Sequence, residues 1–186
     1  MTHRTATVRR PARRLTQLAV LILALSHIPL HSGTALAADL LPDSIRVGTA
    51  IGKFDNTSQV AVAYRLRSPR RLRAQYLDLA IGTLASSQQT RAFVSLGPVW
   101  RLPVFSDRAW VNAGFSPTLL SASSFDGRDM GGNFHFTSSA EIEIAFGNAR
   151  ALRMALRIQH TSNGGLSGTN PGMDIVGFSF SYNFGQ

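Results

Sequence analysis

Phe134-His135-Phe136-Thr137-Ser138-Ser139-Ala140-Glu141-Ile142-Glu143-Ile144-Ala145-Phe146 is the stretch that decides the fold. Phe134, Phe136, Ile142, Ile144 and Phe146 fall on one side of an extended chain; His135, Thr137, Ser139, Glu141 and Glu143 fall on the other. Successive side chains of a strand point to opposite faces, so this stretch reads as a β-strand with one apolar and one polar face.

The same pattern spreads outward in both directions. Downstream, Gly147-Asn148 turns into a segment where Leu152, Met154, Leu156 and Ile158 oppose Arg153, Arg157 and Gln159. The last segment sets Val176, Phe178, Phe180, Tyr182 and Phe184 against Gly177, Ser179, Ser181 and Asn183. Upstream, five more segments are expected at Ile45 to Phe54, Gln59 to Arg67, Arg71 to Leu84, Arg91 to Leu102 and Arg108 to Leu119. Turn-forming residues separate them, among them Asp55-Asn56-Thr57, Ser68-Pro69-Arg70, Ser106-Asp107 and the Gly/Ser/Asp-rich run 121–132. That makes eight strands, each close to the roughly 9–11 residues that cross a bilayer.

The other end of the chain says where such a sheet goes. Arg4, Arg9, Arg10, Arg13 and Arg14 precede an apolar run from Leu15 to Leu30, and Ala35-Leu36-Ala37 follows. A basic head, an apolar middle and a small-x-small site make a secretory signal peptide, cleaved after Ala37. His27 and Pro29 shorten the run below a transmembrane helix. The 186-residue chain carries a net charge of +9. Five of its 19 basic residues leave with the signal, so residues 38–186 keep fourteen basic against ten acidic residues, a net of +4. The remaining arginines are scattered, no basic aromatic-studded patch occurs, and an exported protein meets little nucleic acid, so a nucleic-acid partner is not expected. There is no cysteine, hence no disulfide framework and no thiolate metal site.

Period-2 alternation also fits a soluble antiparallel sandwich or lipocalin-like barrel. Three features favour the membrane: the export signal, the lack of a later run apolar enough for a spanning helix, and unlike charges on neighbouring polar faces. Glu141 and Glu143 stand beside Arg153 and Arg157, which suits a narrow, side-chain-filled lumen. The expectation is therefore an all-β, eight-stranded antiparallel transmembrane β-barrel in the outer membrane, formed by residues 38–186. With the N-terminus periplasmic, odd strands run outward and even strands return.

Parity then exposes a candidate site. The seventh strand rises into Ile158-Gln159-His160-Thr161-Ser162-Asn163-Gly164-Gly165-Leu166, and Asn170-Pro171-Gly172-Met173-Asp174 follows. His160 and Ser162 continue the lipid-facing positions Leu152 to Ile158, and Asp174 continues those of Val176 to Phe180. Polar groups facing lipid are costly and point to function. A nucleophile, a base and an orienting carboxylate are the three parts of a hydrolytic triad.

This segment resembles that of the lipid A 3-O-deacylases of the PagL type: an H-x-S-N-[AG]-G run at His160 to Gly165, an N-P-G turn at Asn170 to Gly172, and an acidic residue at Asp174. The resemblance implies hydrolysis of the ester-linked 3-hydroxyacyl chain at position 3 of lipid A in the outer leaflet, with lipid A or lipopolysaccharide as substrate and no cofactor. It implies Ser162 as nucleophile, His160 as base and Asp174 as third member, where the family carries Glu. Its oxyanion hole maps to the Asn163 side chain and the Gly165 N–H. A homodimer is left open. The alternative is a non-catalytic eight-stranded structural or adhesion barrel, which has no reason to set these polar residues on the lipid face.

Other polar residues have plainer readings. His135 belongs to a lumen network with Glu141 and Glu143, and Arg65, Arg67, Arg101, Arg153 and Arg157 are lumen charges. Trp100, Trp110 and Tyr182 read as interface aromatics, with packing inside as the alternative for Trp110, which falls on the polar face.

Overall fold

The computed structural model describes residues 42–52, 57–68 and 73–184. The expected signal segment 1–37 and its cleavage site lie outside the described residues. So do the expected end of the first strand at Phe54, turn residues 55–56 and 69–70, the expected start of the third strand at Arg71, and the tail 185–186.

The strands run in chain order as β1 (Ser44–Gly52), β2 (Ser58–Arg67), β3 (Tyr76–Ala85), β4 (Thr90–Pro103) and β5 (Ala109–Leu120). A short hairpin of β6 (Ser124–Phe125) and β7 (Arg128–Asp129) comes next, followed by β8 (Phe134–Phe146), β9 (Leu152–Ser162) and β10 (Met173–Asn183). All but the hairpin pair close into one antiparallel barrel of eight strands. β1 seals it against β10, with Ser44 opposite Asn183 and Gly52 opposite Ile175. Closure leaves no unpaired edge, which is the condition for strands to stand in hydrocarbon.

Alternation runs through the wall as the sequence demands. Along β10, Met173, Ile175, Gly177, Ser179, Ser181 and Asn183 are enclosed, while Asp174, Val176, Phe178, Phe180 and Tyr182 face outward. Leu102, Ile158, Phe178 and Phe180 are each 55–63% exposed on the outer wall. At about 25 cal/mol per Å² of apolar surface, such a belt is untenable in water and comfortable in lipid.

One seam is weaker than the rest. β4 and β5 pair from Phe93 to Ser95 and again from Val99 to Pro103, but not at Leu96, Gly97 and Pro98. Pro98 and Pro117 lie in this interval and have no N–H to donate. Gly97 lets the strands close up there: a Cβ on it would overlap the Phe115 carbonyl and Ser116.

The lumen has two zones. Toward the end carrying loops 121–133 and 163–172, Leu84, Phe93, Leu120, Phe125, Met130, Met173 and Ile175 form an apolar plug. Phe125 and Met130 reach it from the hairpin of β6 and β7, whose turn at Asp126 (φ 53°) and Gly127 (φ 77°) has the two positive φ values of a tight hairpin turn. Between the zones, Thr118, Thr137 and Thr161 join hydroxyl to hydroxyl across β5, β8 and β9 at 2.8 and 2.9 Å.

The other zone is ionic. Arg46 donates to both oxygens of Glu141 at 2.8 and 2.9 Å. Arg65 forks onto Asp78 at 2.8 Å twice and reaches Glu141 at 3.3 Å. Glu143 accepts Arg153 at 3.2 Å and also Arg101. Trp110 packs inside, with the Arg101 and Arg153 guanidinium carbons 4.4 and 4.9 Å from its ring centre. Arg67 departs from expectation: its side chain is 78% exposed and meets Asp43 at 3.5 Å, because it is the last residue of β2 and clears the rim. His135 also departs. It is fully buried, but its Nε2 meets the Gly132 carbonyl at 2.9 Å, because it starts β8 at the plug end, away from Glu141 and Glu143.

Glu143 holds two guanidiniums and stands 3.4 and 3.6 Å from two more, those of Arg46 and Arg65. Glu143→Ala strands buried charges without their counter-ion, and the expected cost is about 3–5 kcal/mol of barrel stability, read as a lowered urea midpoint of the refolded protein.

Candidate active site

β9 and β10 place the candidate residues. Both strands alternate strictly, so His160 and Ser162 share the outer face of β9 and Asp174 the outer face of β10. The ladder sets Asp174 directly opposite His160. Their side chains meet there: His160 Nδ1 and Asp174 Oδ1 are 2.7 Å apart, each side chain more than half exposed on the wall. Deprotonated Asp can only accept, so Nδ1 carries the proton and the Nε2 lone pair is left to act as a base.

The turn before β10 completes the imidazole's seat. Gly172 has φ 65°, and a Cβ there would stand 3.0 Å from His160 Cε1 and 3.6 Å from Nε2. Glycine is needed twice over, for its positive φ and for the ring packed against it.

Ser162 is the next outward residue beyond His160, about 6.6 Å further along the strand at 3.3 Å per residue. It is half-buried, opposite Phe136 on β8. No hydrogen bond joins its Oγ to His160 or to any other described residue. Phe136 stacks on Phe115 at 5.5 Å and meets Phe134 edge-on at 5.1 Å, so an aromatic platform lies beside the serine on the outer wall.

Asn163 and Gly165 do not stand as free oxyanion donors. One residue beyond Ser162, parity turns the Asn163 side chain inward, where it is fully buried. Its Nδ2 donates to the Thr169 carbonyl at 2.6 Å and to Ser167 Oγ at 2.8 Å, and lies 3.4 Å from the Gly131 carbonyl. Its Oδ1 accepts the Gly165 N–H at 2.9 Å, and its own N–H donates to Asn170 Oδ1 at 3.1 Å. The amide therefore fastens the loop 163–172 to itself and to the neighbouring loop at Gly131. The Gly164 N–H, at φ 64°, has no partner among the described residues.

The structure adds one polar residue to the site that the sequence reading passed over. Ser138 sits opposite His160 from the β8 side and is exposed on the outer face among Phe134, Phe136, Ala140 and Ile142. Extending the parity argument from β9 to β8 would have found it. His160 thus lies between Asp174 on one neighbouring strand and Ser138 on the other.

Comparison with known proteins identifies the family. The PagL family model, described as lipid A 3-O-deacylase, matches residues 50–183. The lipid A deacylase PagL of Bordetella bronchiseptica is 34% identical over 97 residues, which cover 48% of this chain and 53% of that protein. The match thus spans about half the length of that relative. Among solved structures, the outer membrane enzyme PagL superposes with a TM-score of 0.56 at 16% identity, covering 74% of this chain and 98% of that one. Neisserial surface protein A gives 0.51 at 8% identity, covering 76% and 96%. At such identities these two likenesses show the shared barrel fold. The family match extends from β1 to the last residue of β10 and includes the outward-facing His160, Ser162 and Asp174; the chain belongs to the lipid A 3-O-deacylase (PagL) family of outer-membrane β-barrels.

Proposed function

We propose that this barrel hydrolyses the ester-linked acyl chain at position 3 of lipid A, working on its outer wall at the level of the outer leaflet. The observation that carries this reading is the 2.7 Å contact between His160 and Asp174 on the lipid-facing surface, with Ser162 next along the same face. His160 Nε2 takes the Ser162 proton as Oγ attacks the ester carbonyl. The same imidazolium returns a proton to the departing sugar hydroxyl, leaving an acyl-serine. Water, activated by His160, then releases the fatty acid and restores the serine. Asp174 holds the tautomer and stabilises the imidazolium, a task Asp performs in other triads although the family resemblance anticipates Glu. The substrate is a lipid of the same leaflet, so it reaches the site sideways and needs no lumenal channel. Ser138 offers a hydroxyl beside His160 for a polar group of the sugar or of the acyl chain.

A non-catalytic barrel draws on one observation, the lack of a hydrogen bond between Ser162 and His160. Such bonds are frequently long in unliganded enzymes and tighten with substrate. A structural barrel also gives no reason for the buttressed His160–Asp174 pair or for Gly172 beneath the ring.

The deciding experiment is the mass of lipid A after incubation with refolded protein. Loss of one hydroxyacyl group is expected, and Ser162→Ala should abolish it. Asp174→Ala should slow it by about 10³- to 10⁴-fold, with Asp174→Glu retaining most activity. Unchanged lipid A with a correctly folded barrel would leave the structural reading standing.

Two further variants separate the ring's seat from the loop's anchor. Gly172→Ala is expected to lower kcat by at least about tenfold and to cost only about 1 kcal/mol of stability, since it displaces the imidazole and strains one turn residue at positive φ. Asn163→Ala should instead open the loop, leaving buried polar groups at about 1–3 kcal/mol each and exposing 163–172 to limited proteolysis. An Asn163→Ala protein with native protease resistance and lowered kcat would return Asn163 to the oxyanion role.

A further inference from the structure

Five guanidiniums point into the ionic zone of the lumen, those of Arg46, Arg65, Arg101, Arg153 and Arg157; they face three carboxylates, Asp78, Glu141 and Glu143. Four of the arginines have a carboxylate within hydrogen-bonding distance. Arg157 has none. The ladder places it directly opposite Glu141, the natural partner. Glu141, however, already accepts Arg46 on both oxygens, Arg65 at 3.3 Å and Asn112 Nδ2 at 2.7 Å. Arg157 makes no ion pair or hydrogen bond with the described residues, and its Nε is buried without a partner.

The Arg157 side chain lines a cavity of about 70 Å³ between the ionic zone and the apolar plug. At about 10–15 Å³ per water-sized group this holds on the order of five such groups, room for a tetrahedral oxyanion or a short carboxylate. A second orphan faces the same space from β10: Ser179, only 6% exposed, has an Oγ without a partner. From β2 and β9, Gln59 and Gln159 line it too; Gln159 donates to Gln59 Oε1 at 3.1 Å, which leaves the Gln59 amide nitrogen as a further donor. An arginine does not deprotonate in a protein, so the charge stays wherever the guanidinium is enclosed. A half-buried cation with an enclosed Nε, an unpartnered hydroxyl and an amide donor converge on one small space. That donor set suits an anion with several acceptor oxygens.

We propose that the lumen binds one small oxyanion, a phosphate or carboxylate group, held by Arg157 with Ser179 and Gln59. The site lies inside the wall whose outer face carries His160 and Ser162, and it does not depend on the catalytic reading. Its ligand offsets part of the excess positive charge of the lumen, so the folded barrel should be stabilised by the anion.

The test refolds the mature protein at fixed pH and ionic strength with inorganic phosphate, or with acetate, replacing a bulky sulfonate, and follows the thermal unfolding midpoint. At about a hundred times the dissociation constant the parent should gain about 5 °C or more, saturably. The probe that saturates at the lower concentration names the class of anion. Arg157→Gln should abolish the response, and without anion it should unfold no earlier than the parent, because it removes an enclosed charge that has no hydrogen-bonded counter-ion. Ser179→Ala keeps the arginine and should shift the titration to roughly tenfold higher concentration, so the proposal stays testable if Arg157→Gln fails to fold. A parent indifferent to both probes would overturn the site and leave the cavity to water. An equal response in parent and Ser179→Ala, or in parent and Arg157→Gln, would overturn it as a general salt effect.

Discussion

Every backbone N–H and C=O that stands in hydrocarbon must find a partner within the protein, and a closed ladder of strands is one of two ways to meet that demand. Much of this molecule follows from it. Once β1 has sealed against β10, each residue's parity fixes whether it faces the lumen or the membrane. His160 and Ser162 face out because Leu156 and Ile158 do; Thr161 and Asn163 face in because Arg157 and Gln159 do. The candidate chemistry and the packing that supports it are thus separated by the thickness of one strand.

The lumen answers the same constraint differently at its two ends. Near the long loops the enclosed residues are apolar and form a plug. Toward the short turns, arginines and carboxylates from β1, β2, β3, β4, β8 and β9 fill the space. A buried charge is tolerable only with a partner and further hydrogen bonds. Glu141 shows how far this goes, gathering Arg46, Arg65 and Asn112 from three separate strands. The crowding of donors around it leaves its own ladder neighbour, Arg157, to face the cavity.

Period-2 alternation made the barrel legible in the sequence, and β8 came out with the expected ends because Phe134 and Phe146 open and close its apolar face. The outward placement of His160, Ser162 and Asp174 was legible for the same reason. Relations that cross the lumen were not. Nothing local to Arg46 tells that it reaches Glu141, 95 residues away, or that Arg67 stops just short of the interior. The hairpin of β6 and β7 was hidden in a run of Gly, Ser and Asp that reads only as a loop. Nor was the inward placement of the Asn163 side chain read off, because its neighbour in sequence is the serine while its side chain belongs to the opposite face.

The Asn163 amide, within reach of Thr169 in its own loop and Gly131 in the other, bears on how such a protein can change over generations. Surface loops of barrels are usually the freely exchangeable parts, open to insertion and grafting because each is anchored only by its own two strands. Here the two long loops share one fastening, and one of them also carries the plug residues Phe125 and Met130. A segment transplanted from a relative into 121–133 would have to bring a glycine at position 131, where φ is 74° and a Cβ would overlap the Asn163 amide, or the turn beside Ser162 would lose a tether. The two loops therefore behave as one structural unit, and the positions outside this fastening are the outward tips around Leu166 and Asp126–Gly127.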